Sequence, residues 1–321
     1  MALSETSLIE RYFRGGGAQR ADVTLGIGDD AAILGVPAGH ELVASTDTLV
    51  TGVHFPHDSP AASIGHRALA VNLSDMAAMG ARPAWALLAL TLPQADEAWL
   101  AEFAAGFAAL AREHRVALVG GDTTRGPLCI TVQVLGLVPQ GTALRRGGAQ
   151  AGDALFVSGT PGDAAAGLAL EQRRLEAPAA ARDYLRERFR LPTPRVALGE
   201  RLRDFASACI DVSDGLLGDA GKLAQASGLA CELDFEQLPL SDALRATLGV
   251  DAARRLALSG GDDYELCFAV PASRLAQLQG QLPAERWGYA RIGVLVPGGG
   301  ARVTRGGSVM EFSHSGYQHF S

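Results

Sequence analysis

Residues 154–170 read ALFVSGTPGDAAAGLAL, and this stretch decides the fold class. A short apolar run predicts a strand, Gly and Pro indicate a turn, and the alanine-rich run that follows predicts a helix. The same succession recurs over residues 210–226, IDVSDGLLGDAGKLAQA, and the apolar run YELCFAV at 264–270 predicts a further strand. Strands and helices linked by glycine turns are typical of α/β proteins. The second half of the chain is therefore predicted to be an α/β domain.

The first half contains a second set of strands and helices. Periodicity predicts strands over 41–49 and 84–92 and helices over 60–79 and 96–114. Two further apolar runs, 116–119 and 128–138, bracket the predicted turn GGDTTRGP and complete a small mixed sheet. The fold class is thus α/β of the α+β type, with a domain boundary at RRGGAQAGD, residues 145–153. The tail beyond Gly298 is rich in turn residues and carries no strand prediction.

Composition excludes several classes of function. The formal charge of −7 argues against a nucleic acid partner, because such partners require a basic surface. The amino terminus, MALSETSLIERYF, predicts a short amphipathic helix and no export signal, and no apolar run is long enough to span a membrane, so we expect a cytoplasmic protein. Lys222 is the only lysine, which excludes a G-x-x-x-x-G-K-[ST] phosphate loop. The four cysteines are scattered singly, which favours reduced, buried thiols over a zinc site.

Aspartates recur within short runs of small residues. The runs are GIGDDAA at 26–32, STDTL at 45–49, NLSDMAAMG at 72–80, GGDTTRG at 120–126 and DVSDGL at 211–216. A single Asp beside Gly or Ser is most often a turn or cap residue. Several converging carboxylates would repel one another unless divalent cations lay between them, and magnesium prefers such oxygens together with phosphates. The set therefore predicts a site that grips polyphosphate through metal.

These motifs, followed by SGGDDYEL at 259–266, occur in one order along nearly the whole chain. In that order they resemble the thiamine-monophosphate kinase family, part of a superfamily that includes aminoimidazole ribonucleotide synthetase and selenophosphate synthetase. The resemblance implies two α/β domains and a homodimer formed by the amino-terminal sheets. It also implies that ATP phosphorylates thiamine monophosphate to thiamine diphosphate, the last biosynthetic step, by direct in-line transfer with several Mg²⁺ ions. An anionic acceptor phosphate needs no strong base, so no catalytic acid or base is expected.

The resemblance also assigns individual residues. The implied magnesium ligands are Asp30, Ser45, Thr46, Asp47, Asp75, Asp122, Asp211 and Asp214. The implied ATP contacts are Gly121, Asp122, Arg146 and Ser213, and the implied substrate contacts are His54, Asp262 and Tyr317. Residues 1–147 are expected to bind ATP and magnesium and to dimerise, and residues 148–321 to complete the nucleotide and substrate site. Which substrate ring meets Asp262 and which meets Tyr317 stays open.

Two positions depart from the family pattern. Asp262 stands where the family commonly carries Glu, which shortens the carboxylate arm by one methylene. His314 stands where an aromatic residue such as Trp is expected, near Tyr317. Neither position lies in a metal-binding motif.

Three alternative interpretations can be weighed. Residues 26–31 match a G-x-G-x-x-A dinucleotide fingerprint, but Asp29 and Asp30 would face the pyrophosphate, and Gly and Pro follow where a helix is required. Another synthetase of the superfamily would use the same metal and ATP on a different acceptor. Selenophosphate synthetase would call for a reactive Cys near the amino terminus, whereas the first cysteine here is Cys129. A non-catalytic ATP-binding protein is opposed by the intact row of carboxylates.

Overall fold

The computed structural model describes residues 4–312 and 316–317 and divides into two compact units. The first unit comprises residues 1–76 and 81–142, and the second comprises residues 77–80 and 143–321. The units thus divide between Thr142 and Ala143, and the functional roles expected of residues 1–147 and 148–321 stay predictions.

The first unit contains a mixed sheet with two long helices. Its helices are α1 (Glu5–Leu8), α2 (Ala61–Ala78) and α3 (Glu97–Glu113), with a π-helical turn at Ile9–Phe13. Its strands are β1 (Val23–Leu25), β2 (Ile33–Leu34), β3 (His40–Val50), β4 (Arg82–Leu92), β5 (Ala117–Arg125) and β6 (Cys129–Pro139). Within the described residues the main sheet has the order β3-β6-β4-β5, in which β4 and β5 are parallel and the other pairs antiparallel. The small sheet and the two long helices predicted for this half are confirmed.

Strand β5 differs from the prediction. The segment GGDTTR was expected to be a turn, but it continues the strand to Arg125, and Gly121 pairs with Leu88 of β4. Glycine-rich polar segments carry no strand signal of their own, and here pairing with β4 overrides local propensity. The prediction of a turn over this segment was wrong up to Arg125.

Helices α2 and α3 approach each other closely. A side chain at Gly65 would meet the carbonyl oxygen of Phe103 at 2.1 Å, and one at Gly106 would meet that of Ala62 at 2.0 Å. Two glycines therefore let the helix backbones touch. Asp96 caps the amino terminus of α3, and its carboxylate accepts the backbone N–H groups of Ala98 and Trp99. The resulting contact fixes the position of α2, which carries Asp75.

The second unit is built on a larger sheet. Its strands are β7 (Ala154–Ser158), β8 (Ala208–Val212), β9 (Ala230–Asp234), β10 (Glu265–Val270), β11 (Tyr289–Val296), β12 (Gly300–Arg305) and β13 (Ser308–Met310). Its helices are α4 (Asp163–Glu171), α5 (Ala179–Arg190), α6 (Val196–Leu202), α7 (Leu216–Ala226), α8 (Asp242–Leu248), α9 (Val250–Ser259), α10 (Leu275–Gln281) and α11 (Ala284–Trp287). In the described part of this unit the strand order is β13-β12-β9-β11-β7-β10-β8. The α/β prediction for this half is confirmed.

The core of the second unit lies on the central strands. Every residue of β7, β8 and β10 is buried, as expected of strands covered on both faces. Cys209, Cys231 and Cys267 belong to this core, and none of the four cysteines, all within the described residues, forms a disulfide. Cys129 is partly exposed, so the prediction of buried thiols holds for three of the four. Beyond Gly298 the chain forms β12 and β13, two strands that the sequence did not indicate.

Candidate active site

Three predicted ligands of the first unit lie on facing elements. Residues alternate between the faces of a strand, so Ser45 and Asp47 project from the same face of β3. The Ser45 hydroxyl donates to Asp75 Oδ2 of α2 at 2.5 Å, and the backbone N–H of Asp47 donates to Asn72 Oδ1 at 3.1 Å. Thr46 projects from the opposite face, where its hydroxyl donates to the carbonyl of Val132. Helix α2 and strand β3 therefore bring Ser45, Asp47 and Asp75 together.

Asp47 has an unusual protonation equilibrium. Burial, and then repulsion by the Asp75 carboxylate, raise the pKa of Asp47 to about 6. The two carboxylates thus repel each other at a partly desolvated position. A cation placed against them would relieve this repulsion and favour the ionised form of both.

Two other acidic motifs line one cavity in the first unit. The cavity has a volume of about 630 Å³, and its lining includes Asp29, Asp30, Gly121 and Asp122. The four residues are exposed to solvent, and Asp29 Oδ1 accepts the backbone N–H of Asp30 at 2.8 Å. Apolar side chains, including Phe13, form the remainder of the wall. The cavity has the size and mixed lining of a small-molecule site.

Gly121 permits the close approach of two strands beside this cavity. Its φ angle is +148°, and a Cβ atom there would lie 1.9 Å from the carbonyl oxygen of Leu88. Any side chain at this position would therefore collide with the backbone of β4. The predicted ATP contact at Gly121 coincides with a position that requires glycine for structural reasons.

His54 lies in the turn that follows β3. Its Nδ1 atom accepts the backbone N–H of Val50 at 2.9 Å. Nδ1 is therefore unprotonated, and the neutral ring carries its proton on Nε2. The ring is thus held in the tautomer that can donate from Nε2.

In the second unit, the loop after β8 gathers predicted residues that are distant in sequence. The backbone N–H of Asp262 donates to the carbonyl of Ser213 at 2.8 Å, and that of Tyr317 donates to the carbonyl of Asp214 at 2.9 Å. Asp211 is buried at the end of the same strand. The structure therefore brings together residues predicted as metal, ATP and substrate contacts: Asp211, Ser213, Asp214, Asp262 and Tyr317.

Two residues next to this loop hold a left-handed backbone. Asp262 has φ +71° and Tyr264 has φ +51°, a conformation that few residues other than glycine adopt. Between them the buried carboxylate of Asp263 accepts the backbone N–H groups of Gly162 and Ala164. Burial raises the pKa of Asp263 well above its ordinary value. These buried hydrogen bonds hold the strained segment in place.

Arg146 lies apart from this loop within the second unit. The carbonyl of the preceding Arg145 accepts the backbone N–H of Cys209, near the start of β8, whereas Ser213 follows the end of that strand. At about 3.3 Å per residue, the four residues from Cys209 to Ser213 span about 13 Å. Arg146 is exposed. Within this unit, Arg146 and Ser213 are therefore placed near opposite ends of β8.

Comparison with known proteins decides the family. The model of the AIR synthase related protein, N-terminal domain, matches residues 28–138, and the model of its C-terminal domain matches residues 150–306. The thiamine-monophosphate kinases of Salmonella typhimurium and Escherichia coli K12 are 47% and 48% identical to this chain, each covering 100% of it and 99% of the relative. This chain belongs to the thiamine-monophosphate kinase family.

Solved structures of the family share the fold. Thiamine-monophosphate kinase from Stenotrophomonas maltophilia is 52% identical and superposes with a TM-score of 0.86, covering 94% of this chain and 97% of the other. AaThiL complexed with AMPPCP and TMP is 33% identical, with a TM-score of 0.77 and 89% of each chain covered. The two-domain architecture is thus that of the thiamine-monophosphate kinase family.

The magnesium ions expected of the family can be tested against the donors present. Among the described residues, no three or more His, Cys, Asp or Glu side chains converge closely enough to hold a metal ion. The donor chemistry around Asp47 and Asp75 nevertheless fits a hard cation, because two carboxylates and a hydroxyl meet there and the pKa of Asp47 is raised. The ligand assignments in the first unit stay predictions that this chemistry supports.

Two residues beside the predicted site of the family were missed. Asn72 accepts the backbone N–H of Asp47 through its side chain and is fully buried. Lys222 forms ion pairs with Asp214 and with Asp219, and these contacts raise its pKa although burial alone would lower it. Spacing along α7 could have indicated the second pair, since residues 219 and 222 lie three apart. His314, which departs from the family pattern, lies outside the described residues.

Proposed function

We propose that this chain phosphorylates thiamine monophosphate to thiamine diphosphate with ATP, as the names of its relatives state for those proteins. The observation that carries the proposal is the meeting of Asp47, Asp75 and Ser45, whose hard oxygen atoms suit a divalent cation and whose carboxylates repel each other enough to contribute to the raised pKa of Asp47. Similarity over the full length supports the choice of acceptor, and AMPPCP and TMP are the molecules bound in AaThiL. The reaction belongs to the cytoplasm, where ATP is available.

Residues of the first unit would bind the charged part of ATP. Magnesium held by the side chains of Asp30, Ser45, Asp47, Asp75 and Asp122 would neutralise phosphate charge and stabilise the transferring group. Thr46 would contribute its backbone carbonyl, because its side chain projects from the opposite face of β3. Asp30, Gly121 and Asp122 border the same cavity, so a nucleotide there would meet acidic oxygens on one side and apolar side chains on the other. Gly121 lines this cavity with backbone atoms alone, because it has no side chain.

Other residues would orient the two substrates. Arg146 is exposed and can make paired hydrogen bonds to phosphate oxygens, and Ser213 supplies a hydroxyl. His54 can donate from Nε2 to substrate. Asp262 and Tyr317, joined through the loop after β8, offer a carboxylate and a ring to the heterocycles of thiamine monophosphate. The acceptor phosphate is already anionic, so transfer is direct and no enzyme nucleophile is needed.

The proposal includes a homodimer formed through the amino-terminal sheet. Among the described residues β3 pairs with β6 alone, so its outer edge presents eleven residues of strand. Leu42 on this strand is 50% exposed. An edge of this length with exposed apolar side chains favours association with a second copy.

The proposal is tested by incubating the purified full chain with ATP, Mg²⁺ and a panel of acceptors. The panel contains thiamine monophosphate, thiamine, an aminoimidazole precursor and selenide. We expect thiamine diphosphate and ADP in equal amounts with thiamine monophosphate, at a rate at least about a hundredfold above that with thiamine, because the neutral hydroxyl of thiamine offers no anionic nucleophile. Faster turnover of another acceptor would identify a different synthetase, and ATP binding without turnover would identify a non-catalytic protein.

A further inference from the structure

A buried carboxylate, Asp219, shapes the loop after β8, and both of its oxygen atoms accept hydrogen bonds from protein groups. Asp219 of α7 is 1% exposed, and its Oδ2 atom accepts the backbone N–H groups of Ser213 and Asp214, each at 3.0 Å. Its other oxygen, Oδ1, accepts from Lys222 at 2.8 Å. Both oxygens of Asp219 thus bind protein donors, and their role is to shape the loop that carries Ser213 and Asp214.

The Lys222 ammonium joins this carboxylate to a second one. Its Nζ atom lies 2.6 Å from Asp214 Oδ2 and 2.8 Å from Asp219 Oδ1. A compact ammonium with three donors can bind two carboxylates at once, much as a small metal ion does. One positive charge therefore lies between two negative charges where Asp214 was expected to face magnesium.

The type of residue at this position is informative. The chain has 28 Lys and Arg residues in total, and Lys222 is the only lysine among them. A planar guanidinium forms a fixed fork, whereas an ammonium is a point charge that fits between carboxylates of any mutual orientation. The single lysine of the chain therefore stands where one cation contacts two carboxylates.

We propose that the Lys222 ammonium is the resident cation of Asp214, so that this carboxylate does not bind a divalent ion in this chain. The inference rests on the proposed function, because the metal role of Asp214 is implied by the family. It follows from the two short ion pairs and from the repulsion that the ammonium exerts on any cation approaching Asp214. The other predicted ligands, including Asp211, keep their assignments.

The test counts Mn²⁺ ions bound to the full chain without nucleotide, by the electron paramagnetic resonance signal of free Mn²⁺. Lys222→Gln is compared with Lys222→Arg, which keeps a cation. Arg305→Gln serves as the matched control, since Arg305 pairs with Asp251 in the same unit and its side chain, like that of Lys222, is 44% exposed. We expect Lys222→Gln to bind about one Mn²⁺ more than the unsubstituted chain, and the other two variants to bind the same number as it. Equal counts in all four proteins would overturn the proposal.

A second variant keeps the test decisive if Lys222→Gln fails to fold. Asp214→Asn leaves Lys222 its partner Asp219 and removes one carboxylate. If Asp214 binds a metal, this change lowers the Mn²⁺ count by about one, and that result would refute the proposal. An unchanged count supports it. The counts require no phosphoryl transfer, so they test the role of Lys222 even if the chain proves not to be a kinase.

Discussion

Glu265 and Arg195 form a bidentate ion pair, in which Nε donates to Oε2 and Nη2 donates to Oε1, both at 2.6 Å. Arg188 donates to the same carboxylate at 2.8 Å, and Ser158 donates to it at 2.5 Å. Glu265 is fully buried at the start of β10, directly after the strained segment at Asp262. This network ties helix α5 and the start of α6 to the segment that carries a predicted substrate contact.

Glu265→Gln should lower the free energy of unfolding at pH 7 by about 3 kcal/mol, because it leaves two partly buried guanidinium groups without their buried counter-charge. Burial raises the pKa of Glu265, but Arg195 and Arg188 outweigh that effect and hold it below the ordinary value of 4.5. The stabilisation is therefore complete above pH 4.5 and is lost as the pH falls through the lower pKa of the folded state. Urea unfolding across this pH range should show that the free energy of unfolding falls less steeply with acid in Glu265→Gln than in the unsubstituted chain. The exposed Glu176→Gln is the control, and parallel pH curves for all three proteins would contradict the prediction.

Asp75→Asn and Asp122→Asn should each reduce magnesium-dependent phosphorylation of thiamine monophosphate by about a hundredfold or more, since each removes a negative charge predicted to bind metal. Steady-state rates at several Mg²⁺ concentrations measure the effect, and circular dichroism checks the fold. The matched control is Asp58→Asn, which removes an exposed carboxylate of the same unit. Full activity in either of the first two variants would argue against the ligand assignment.

Tyr317→Ala should raise the KM for thiamine monophosphate about tenfold and change that for ATP little, because the ring is predicted to contact the acceptor. The side chain is 52% exposed and its loop is held by a backbone hydrogen bond, so the loss of the ring should leave the fold unchanged. Initial rates with each substrate varied in turn provide the measurement. A Tyr317→Phe variant that retains the ring should stay close to the unsubstituted chain; equal rises in both constants for Tyr317→Ala would refute the assignment.

Arg146→Ala should raise the KM for ATP about tenfold and change that for thiamine monophosphate little, the reverse of Tyr317→Ala, since it removes paired hydrogen bonds to phosphate. The neighbouring Arg145 is also exposed, so Arg145→Ala is a control of identical chemistry one residue away. The measurement is the same two-substrate kinetic analysis. If Arg145→Ala weakened ATP as much as Arg146→Ala, a general loss of positive charge would explain both results.

The chain should be a homodimer in solution. Small-angle scattering should give a mass of about twice 33.3 kDa, because the outer edge of β3 is long and carries exposed apolar residues. Activity measured during dilution to nanomolar concentration tests whether the dimer is required. A monomer with full activity under those conditions would be inconsistent with this assembly.

The sequence predicted elements well where apolar periodicity is strong. Helix α2 and strands β3 and β6 begin and end within a few residues of their predicted bounds. The strand through Gly120 and Gly121 and the strands after Gly298 escaped prediction, because glycine-rich and turn-rich segments adopt strand geometry only when a neighbouring strand pairs with them.

Site residues were predictable to a different extent. Motif order placed Ser45 and Asp75 in one site, although a separation of 30 positions along the chain gives no local signal of contact. The ion pair of Lys222 with Asp214 depends on how the loop after β8 meets α7. Sequence spacing does not predict how a loop packs against a helix, so the sequence alone could not reveal the Lys222–Asp214 ion pair.

The glycine contact between α2 and α3 limits how far α2 can move relative to the predicted site. A methyl group at Gly65 or Gly106 would force the helices apart, because its nearest neighbours are backbone atoms of the other helix, which cannot rotate away. The hydrogen bond from Ser45 to Asp75 tolerates a change in length of only about half an ångström before it weakens. Gly65 and Gly106 contact no predicted ligand, but the small size of both residues sets the distance between α2 and α3. That distance determines whether Asp75 on α2 stays within hydrogen-bonding range of Ser45 on β3.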